Sequence, residues 1–447
     1  MASYLPVENG TRSFWLSAET EFGSTRTTEN LPSEVDVLII GGGYSGATTA
    51  YYLLNGKNRP ESVLLLEART LCSGATGRNG GHFKPSFYSS SISHTEKYGQ
   101  KACADITNFE MAHLKELREV LEKEKLDCEY IVTRGCDVYT SEKGAQRAIA
   151  NFHHMMENPY VENKHEFQLH VGDRAKILSK MPDARACVTG PAGQMWPYKL
   201  MVALLEICTT KGLNIQANTP VLSTEKQKNG KYLVHTERGD VIAKSLVIAT
   251  NAYTASVEPR FENKIVPIKG ICSHIISSGA KAPAHLTNSY GLLLPQNSDY
   301  LINRPDGSII LGGAKEHLFP YKERFYNVVD DSTLVPNAED YFEGYMEKNF
   351  YSWQESKSAV AKVWSGIMGY ADDGLPYVGE LEEKKFILAG FGGHGMPRIL
   401  LCAKAVAKYI KGESSEFEVP RPFLVTPERM ERTENGVLAS LQAVVEK

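Results

Sequence analysis

The sequence predicts an α/β fold, on three observations. An apolar strand runs into a glycine-rich turn and a helix near the start of the chain. The same succession returns near its end, and the middle is rich in strands. Val35 to Ile40 is almost wholly apolar, the mark of a strand buried on both faces. It enters Gly41-x-Gly43-x-x-Gly46, with Tyr44 and Ser45 inside the motif. Gly41 permits the tight turn, Gly43 lets a pyrophosphate approach the backbone, and Gly46 lets the helix pack close to the strand. The helix N-terminus offers free N–H groups and a positive dipole end to phosphates. A second apolar run, Val63 to Leu66, ends at Glu67. This acid lies about 20 residues beyond Gly46, where a carboxylate accepts hydrogen bonds from an adenosine ribose. A lone GxGxxG is weak evidence. The ordered set of strand, glycines, helix, strand and acid predicts a Rossmann-like dinucleotide unit.

The remaining elements follow in order. The first thirty residues read as an extended arm held on the body's surface by Phe14 and Trp15. Cys72 to Pro85 is glycine-rich and packs as neither helix nor strand. Ile106, Phe109, Leu114, Leu117 and Leu121 fall at helical spacing, which predicts a surface helix burying one stripe. Pro197 to Lys211 reads as a helix with Pro197 in its first turn. Tyr232 to Thr236 and Ser245 to Ile248 read as strands, the latter leading into Ala249-Thr250-Asn251. Further strands follow in KGICSHIIS, YGLLLP, YLINR and SIILGG, with Pro305-Asp306-Gly307 as a turn. Tyr341 to Phe350 is expected to be helical. Phe386 to Ala389 runs into Gly390, Gly392, Gly393 and Gly395, and a helix over Arg398 to Ile410 follows. A helix N-terminus there suits a reducible flavin ring, whose reduced form carries negative charge near N1 and the C2 carbonyl.

Bulk properties narrow the function. The chain has 447 residues, enough for two or three domains. A formal net charge of −4 without a basic cluster argues against nucleic acid as a partner. No apolar run reaches the ~18–20 residues of a membrane span, and the first thirty residues lack a signal-peptide core. The eight cysteines form no CxxC pair, as expected of reduced, buried thiols in a cytoplasmic protein.

VDVLIIGGGYSGATTAYYL, LLLEA, SGATGRNGGH, VIATNAY, VPIKG, DDGLPYVG and AGFGGHGM together resemble the D-amino-acid-oxidase-like FAD-dependent oxidoreductases. The SGATGRNGGH form is most similar to the γ-glutamylputrescine oxidase branch and its fungal relatives. The resemblance implies a Rossmann-like FAD-binding domain interleaved with a substrate domain built on a large, mostly antiparallel sheet. The expected segments are 1–90, 190–265 and 355–447 for the FAD domain, and 91–189 and 266–354 for the substrate domain. It further implies oxidation of an amine C–N bond by hydride transfer to flavin N5, with O2 reduced to H2O2. The alternatives are a dehydrogenase of the same fold with another acceptor, and a silent flavoprotein acting as a binding module. Oligomeric state is not legible.

Carried onto this sequence, Gly41, Gly43, Tyr44, Ser45 and Gly46 hold the pyrophosphate, and Glu67, Ala68 and Arg69 border the ribose. Ser73, Gly74, Ala75, Thr76, Arg78, Asn79, Gly80 and Gly81 run beside the pyrophosphate, ribityl chain and isoalloxazine. Val221 contacts adenine through its backbone, and Thr250 ends a cofactor-side strand. Gly392, Gly393, His394, Gly395 and Met396 face the pyrimidine edge. His82 is a candidate for the flavin's vicinity, for proton transfer or for a covalent link; the alternative is a structural histidine. Free, dissociable FAD is the expectation, because the SGIMGYADDGLP segment lacks the cysteine that some relatives use. Lys84 ranks below His82, since a lysine before proline is often a solvated loop charge. His394 either contacts a flavin carbonyl or caps its turn.

Trp196, Tyr198, Trp364, Tyr370 and Met396 are candidates for an apolar substrate pocket, each with ordinary core as its alternative. Asp372 and Asp373 are candidates to attract a cationic substrate, with Asp-Asp-Gly turn chemistry the preferred alternative. Pro397 stands where sarcosine-oxidase-like members hold a substrate carboxylate with lysine. Asn303 or a neighbour stands where they place an oxygen-activating lysine, and Arg304 is expected to face solvent. Both departures favour a secondary amine or substituted polyamine over a simple α-amino acid.

Overall fold

The computed structural model of the protein describes residues 4–279, 281–433 and 435–445, with side chains described to residue 442. The Glu34–Ile40 strand is buried along nearly its whole length because parallel strands flank it on both sides. The parallel path runs Lys385–Ala389, Gly239–Ile248, Glu34–Ile40, Val63–Leu66 and Leu213–Gln216. Tyr377–Glu382 closes one edge antiparallel, and the Val221–Lys226 and Tyr232–Thr236 hairpin joins Gly239–Ile248. The Tyr44–Leu54 helix packs against Pro197–Thr210 and Ile399–Ile410 over one face of this sheet. Leu38, Ile40, Leu64, Leu66, Tyr232 and Ile248 bury the other face.

Strand order decides where the site forms. Glu34–Ile40 and Lys385–Ala389 both lie beside Gly239–Ile248. The two glycine turns, far apart in sequence, therefore emerge from the same end of one sheet. Gly41 takes φ +107°, and a Cβ there would stand 2.7 Å from the Ala249 carbonyl oxygen. At Gly46 a Cβ would stand 1.8 Å from the Gly41 carbonyl oxygen, so only glycine lets this helix start against its own turn.

The second sheet has nine strands and is antiparallel except where Asn288–Leu293 pairs with Ile131–Tyr139. Its longest pair, at one edge, is Ile265–Ser277 with Ser358–Ala371. This pairing moves one expected boundary. Ser358–Ala371 falls in the segment assigned to the FAD domain, yet it is an edge strand of the second sheet, so the chain returns to the first sheet after residue 371 rather than at 355.

Several local expectations change in the same way. The helix expected over Tyr341 to Phe350 shortens to Tyr345–Asn349. The arm's anchor is internal rather than superficial. Trp15 is fully buried, donates its indole N–H to the Asn79 carbonyl at 2.5 Å, and accepts the Trp196 indole N–H at its own carbonyl. Arg304 does not face solvent. It is buried, pairs with Glu129 and lies against the rings of Phe14, Trp15 and Trp196.

Candidate active site

A crevice opens at the strand ends of the first sheet. Gly41, Gly43, Tyr44, Ser45, Glu67, Ala68, Arg69, Gly74, Val221 and Thr250 are among its lining residues. It is continuous with a larger cavity of about 2010 Å³ including its mouth, because Tyr44, Ala75, Thr76, Asn251, Ile367 and Ile399 line both. Arg78, Asn79, Gly80, His82, Lys84, Tyr370 and all of Gly392 to Met396 face the cavity. Gly46, Ser73 and Gly81 line neither; Gly46 sits under the helix, and the Ser73 hydroxyl donates to the Thr70 carbonyl.

The crevice is held open by its own side chains. The Glu67 carboxylate accepts the Gly42 N–H at 2.7 Å and the Arg69 N–H at 2.9 Å, bracing the glycine turn from the next strand. Thr76 Oγ1 accepts the Tyr44 N–H at 2.8 Å. The cap residue of this helix is Gly43, which has no side chain to cap with, so the first-turn N–H groups beyond that of Tyr44 remain for a ligand. Arg69 and Arg78 border the site and share one carboxylate. Arg69 pairs with Asp331 at 2.9 Å and Arg78 with the same carboxylate at 3.2 Å. Asp331 is fully buried and arrives from the other side of the sequence.

The residues present fit FAD. The glycines leave the backbone bare where a pyrophosphate would pass, and Val221 and Glu67 line the crevice where the adenosine end would lie. Three buried polar atoms of the lining residues also lack partners among the described residues, the hydroxyls of Tyr44 and Tyr253 and His82 Nε2. Unpaired buried polar atoms are costly, and a bound ligand satisfies them.

His82 pairs through Nδ1 with the Ser289 hydroxyl at 2.6 Å and lies edge-on to Tyr300. Burial, reinforced by nearby Lys84, pushes its pKa down to about 3, so the ring is neutral. Lys84 is no solvated loop charge; its ammonium meets Asp137 at 2.5 Å. Asn303 lies away from the cavity, where its amide donates to His285 and the Arg304 carbonyl. Of the four aromatic candidates, Tyr370 lines the cavity. A Cβ on Gly393 would stand 2.8 Å from its hydroxyl. Trp196, Tyr198 and Trp364 line neither space. Trp364 is fully buried and donates its indole N–H to the Arg78 carbonyl at 2.8 Å, and Trp196 packs on the N-terminal arm. Asp373 pairs with Arg429 and Arg432, so it draws no substrate.

His394 is bound by a residue that sequence reasoning missed. Its Nε2 lies 2.7 Å from Glu110, which also pairs with Arg398 at 2.7 Å and accepts the Ser86 N–H. Burial alone would raise the Glu110 carboxyl; His394, Arg398 and the Ser86 N–H together hold it well below the usual carboxylate range. The available signal was an acid at the helical spacing of the apolar stripe, between Ile106 and Leu114. Lys269, Asp299, Tyr300 and Lys315 also line the cavity and were not singled out, because the second sheet brings them there.

Over residues 36–409 the chain matches the family described as DAO, FAD dependent oxidoreductase. It is similar to γ-glutamylputrescine oxidoreductase of Escherichia coli (strain K12), 25% identical over 397 residues, covering 86% of this chain and 85% of that one. Glycine oxidase of Geobacillus kaustophilus (strain HTA426) is 24% identical over 412 residues, 88% and 96% of the two chains. Among solved structures, glycine oxidase from Geobacillus kaustophilus superposes with a TM-score of 0.70 at 19% identity, covering 89% of this chain and 99% of that one. L-proline dehydrogenase from P. horikoshii gives 0.67 at 19% identity, covering 88% and 98%. These two likenesses show the fold. A glycine turn lining the crevice, a second lining the cavity beside it, and the family match over residues 36–409 make this chain a member of the DAO family of FAD-dependent oxidoreductases.

Proposed function

We propose that the protein oxidises the C–N bond of an amine, either a secondary amine, a substituted polyamine or an amino-acid derivative, with O2 as electron acceptor. The observation that supports this most is the continuity of the crevice with a cavity whose reactive wall combines a neutral histidine with apolar and glycine surface. The names of the relatives agree, one acting on γ-glutamylputrescine and another on glycine. FAD, when bound, accepts a hydride from the carbon beside nitrogen and passes the electrons to O2, giving H2O2, while the released imine hydrolyses to a carbonyl product.

The chain's own residues set the terms of that reaction. His82 is too weak a base to take a proton from an ammonium group, so the amine must arrive neutral. The apolar walls around Met368, Met396 and Ile367 favour that form by desolvating its charged counterpart. His82 Nε2 then serves as a hydrogen-bond partner that orients the nitrogen. The backbone of Gly392 to Met396 would border the pyrimidine edge of bound FAD, with His394 held in place by Glu110. Tyr370 closes the wall beside Gly393. Lys84 is paired with Asp137, and Arg78 is held by the Asp331 carboxylate it shares with Arg69 and by the Ser73 and Ser365 carbonyls, so both are engaged away from an anionic substrate group.

An anaerobic screen of amines, amino acids and polyamines tests the reading. Secondary amines are expected to bleach the flavin band, and admission of air to release peroxide. Bleaching without peroxide would move the assignment to a dehydrogenase. No bleaching by any amine would remove the proposed activity. On denaturation the yellow colour is expected to leave the chain; colour kept in the precipitate would instead mark a covalent link, with His82 the nearest candidate.

A further inference from the structure

One wall of the cavity holds a cation that no described residue neutralises by contact. After the Ile309–Gly313 strand, Ala314 turns the chain with φ +57°, and Lys315 opens the short Lys315–Leu318 helix against the cavity. Asp299 from the neighbouring strand lies close by, but its carboxylate is fully engaged. One oxygen accepts the Ala314 N–H at 2.7 Å; the other accepts the hydroxyls of Tyr341 at 2.5 Å and Tyr345 at 2.8 Å. Gly313 has no Cβ because one would stand 2.3 Å from that carboxylate, so the strand end is shaped around Asp299 and leaves Lys315 to the cavity.

The other cations facing this space are all engaged. Arg78 pairs with Asp331, Lys84 with Asp137, and Lys269 donates to the carbonyl and hydroxyl of Thr333. Among the described residues, Lys315 alone of the cavity's lysines and arginines has neither a hydrogen bond nor an ion pair on its ammonium. Burial, only partly offset by the attraction of Asp299, pushes its pKa down to about 8. It therefore remains mostly protonated at neutral pH. Leu318, Phe319 and Phe325 line the same wall and give the ammonium apolar surroundings. One unpaired ammonium in an apolar wall suits a singly charged carboxylate; a phosphate dianion calls for several donors. The wall beside His82 and Gly393 carries Met368, Met396 and Pro397 and offers no free cation.

We propose that Lys315 anchors a carboxylate carried by the amine substrate at the end away from the oxidised nitrogen, across an apolar spacer. The inference rests on the amine-oxidation reading above and narrows its substrate class to amines with a remote carboxylate.

The test uses the FAD-loaded protein and a series of ω-(methylamino)alkanoates of increasing length, each compared with its uncharged amide. In the wild type, the best acid is expected to show a KM about 10- to 100-fold below that of its amide, the worth of one charge-assisted hydrogen bond. That ratio is expected to fall to about one in Lys315→Met and to persist in Lys315→Arg. A second readout needs no turnover: adipate, which cannot be oxidised at a C–N bond, should raise the Tm of the wild type and not that of Lys315→Met. Equal KM values for every acid and amide pair in the wild type would overturn the proposal, as would adipate stabilisation retained in Lys315→Met. If no amine of either kind reduces the flavin, the amine reading fails by itself, and the adipate measurement still decides the role of Lys315.

Discussion

The nucleotide crevice and the substrate cavity adjoin, but they are built by different means. The crevice is made of backbone: glycines that leave room, a helix start with free N–H groups, and one carboxylate bracing the turn. The cavity is made of side chains from strands that meet only in the second sheet, held by buried charge networks such as Glu110 with His394 and Arg398. A backbone-built site fails through steric conflict at single atoms. A site built from side chains fails through uncompensated charge, and its losses depend on which partner is removed.

The largest effect is expected in the crevice. Gly46→Val places new atoms onto the Gly41 carbonyl, and no soluble yellow protein is expected from its expression. Gly43→Ala meets only Thr76 Oγ1, at 3.1 Å, so this variant should fold and lose FAD affinity instead, as measured by flavin release on dilution. If the two behave alike, the steric account of the turn is wrong.

Next is the charge that joins the two regions. Asp331→Ala leaves Arg69 and Arg78 buried without their anion and should cost about 3–5 kcal/mol, the usual loss on breaking a buried pair from one side, read from urea midpoints. A loss below 1 kcal/mol would mean that solvent already screens this cluster.

Acid should affect the molecule through its buried neutral histidines. His82 and His113 have pKa values pushed down by burial, to about 3 and about 4. Below the unfolded-state pKa near 6.5 the unfolded chain binds protons that the native state refuses. Stability is therefore flat above about pH 6.5 and falls below it, by up to ~1.4 kcal/mol per pH unit for each group until its native pKa is reached. Glu110 acts in the same direction at lower pH: its lowered pKa adds stability above the ordinary carboxylate range, lost as pH falls through the native value. Tm measured from pH 7.5 to 5 should fall already by pH 6, and a flat profile down to pH 5 would contradict the buried, neutral state of these rings.

The smallest effects distinguish core from cavity. Trp364→Phe loses the hydrogen bond to the Arg78 carbonyl and should cost roughly 1–3 kcal/mol of stability with little change in KM. Tyr370→Phe removes only a hydroxyl at the cavity wall and should change KM more than Tm. Reversed outcomes would exchange the two roles.

The amino-acid sequence alone determined the crevice, because everything in it is local or follows from a strand's burial. A run of apolar residues, three glycines at fixed offsets and an acid at the end of the next strand each have one steric or electrostatic meaning within a few residues of themselves. The same held for the second glycine turn and for the helices at Pro197 and Arg398. Only the tertiary structure decided the cavity. Ser358–Ala371 belongs to the second sheet because it pairs with Ile265–Ser277, and no local pattern announces that choice of partner. Trp364 and Tyr370 look equally suited to a pocket in sequence and, six residues apart, share one face of the strand, yet only Tyr370 lines the cavity, while Trp364 is fully buried against the Arg78 carbonyl. Asp331, Glu110 and Lys315 acquire meaning from partners, or from the lack of one, that lie far along the chain. Hydrogen bonds and ion pairs act over a few ångströms of space, and distance along a sequence carries little information about them.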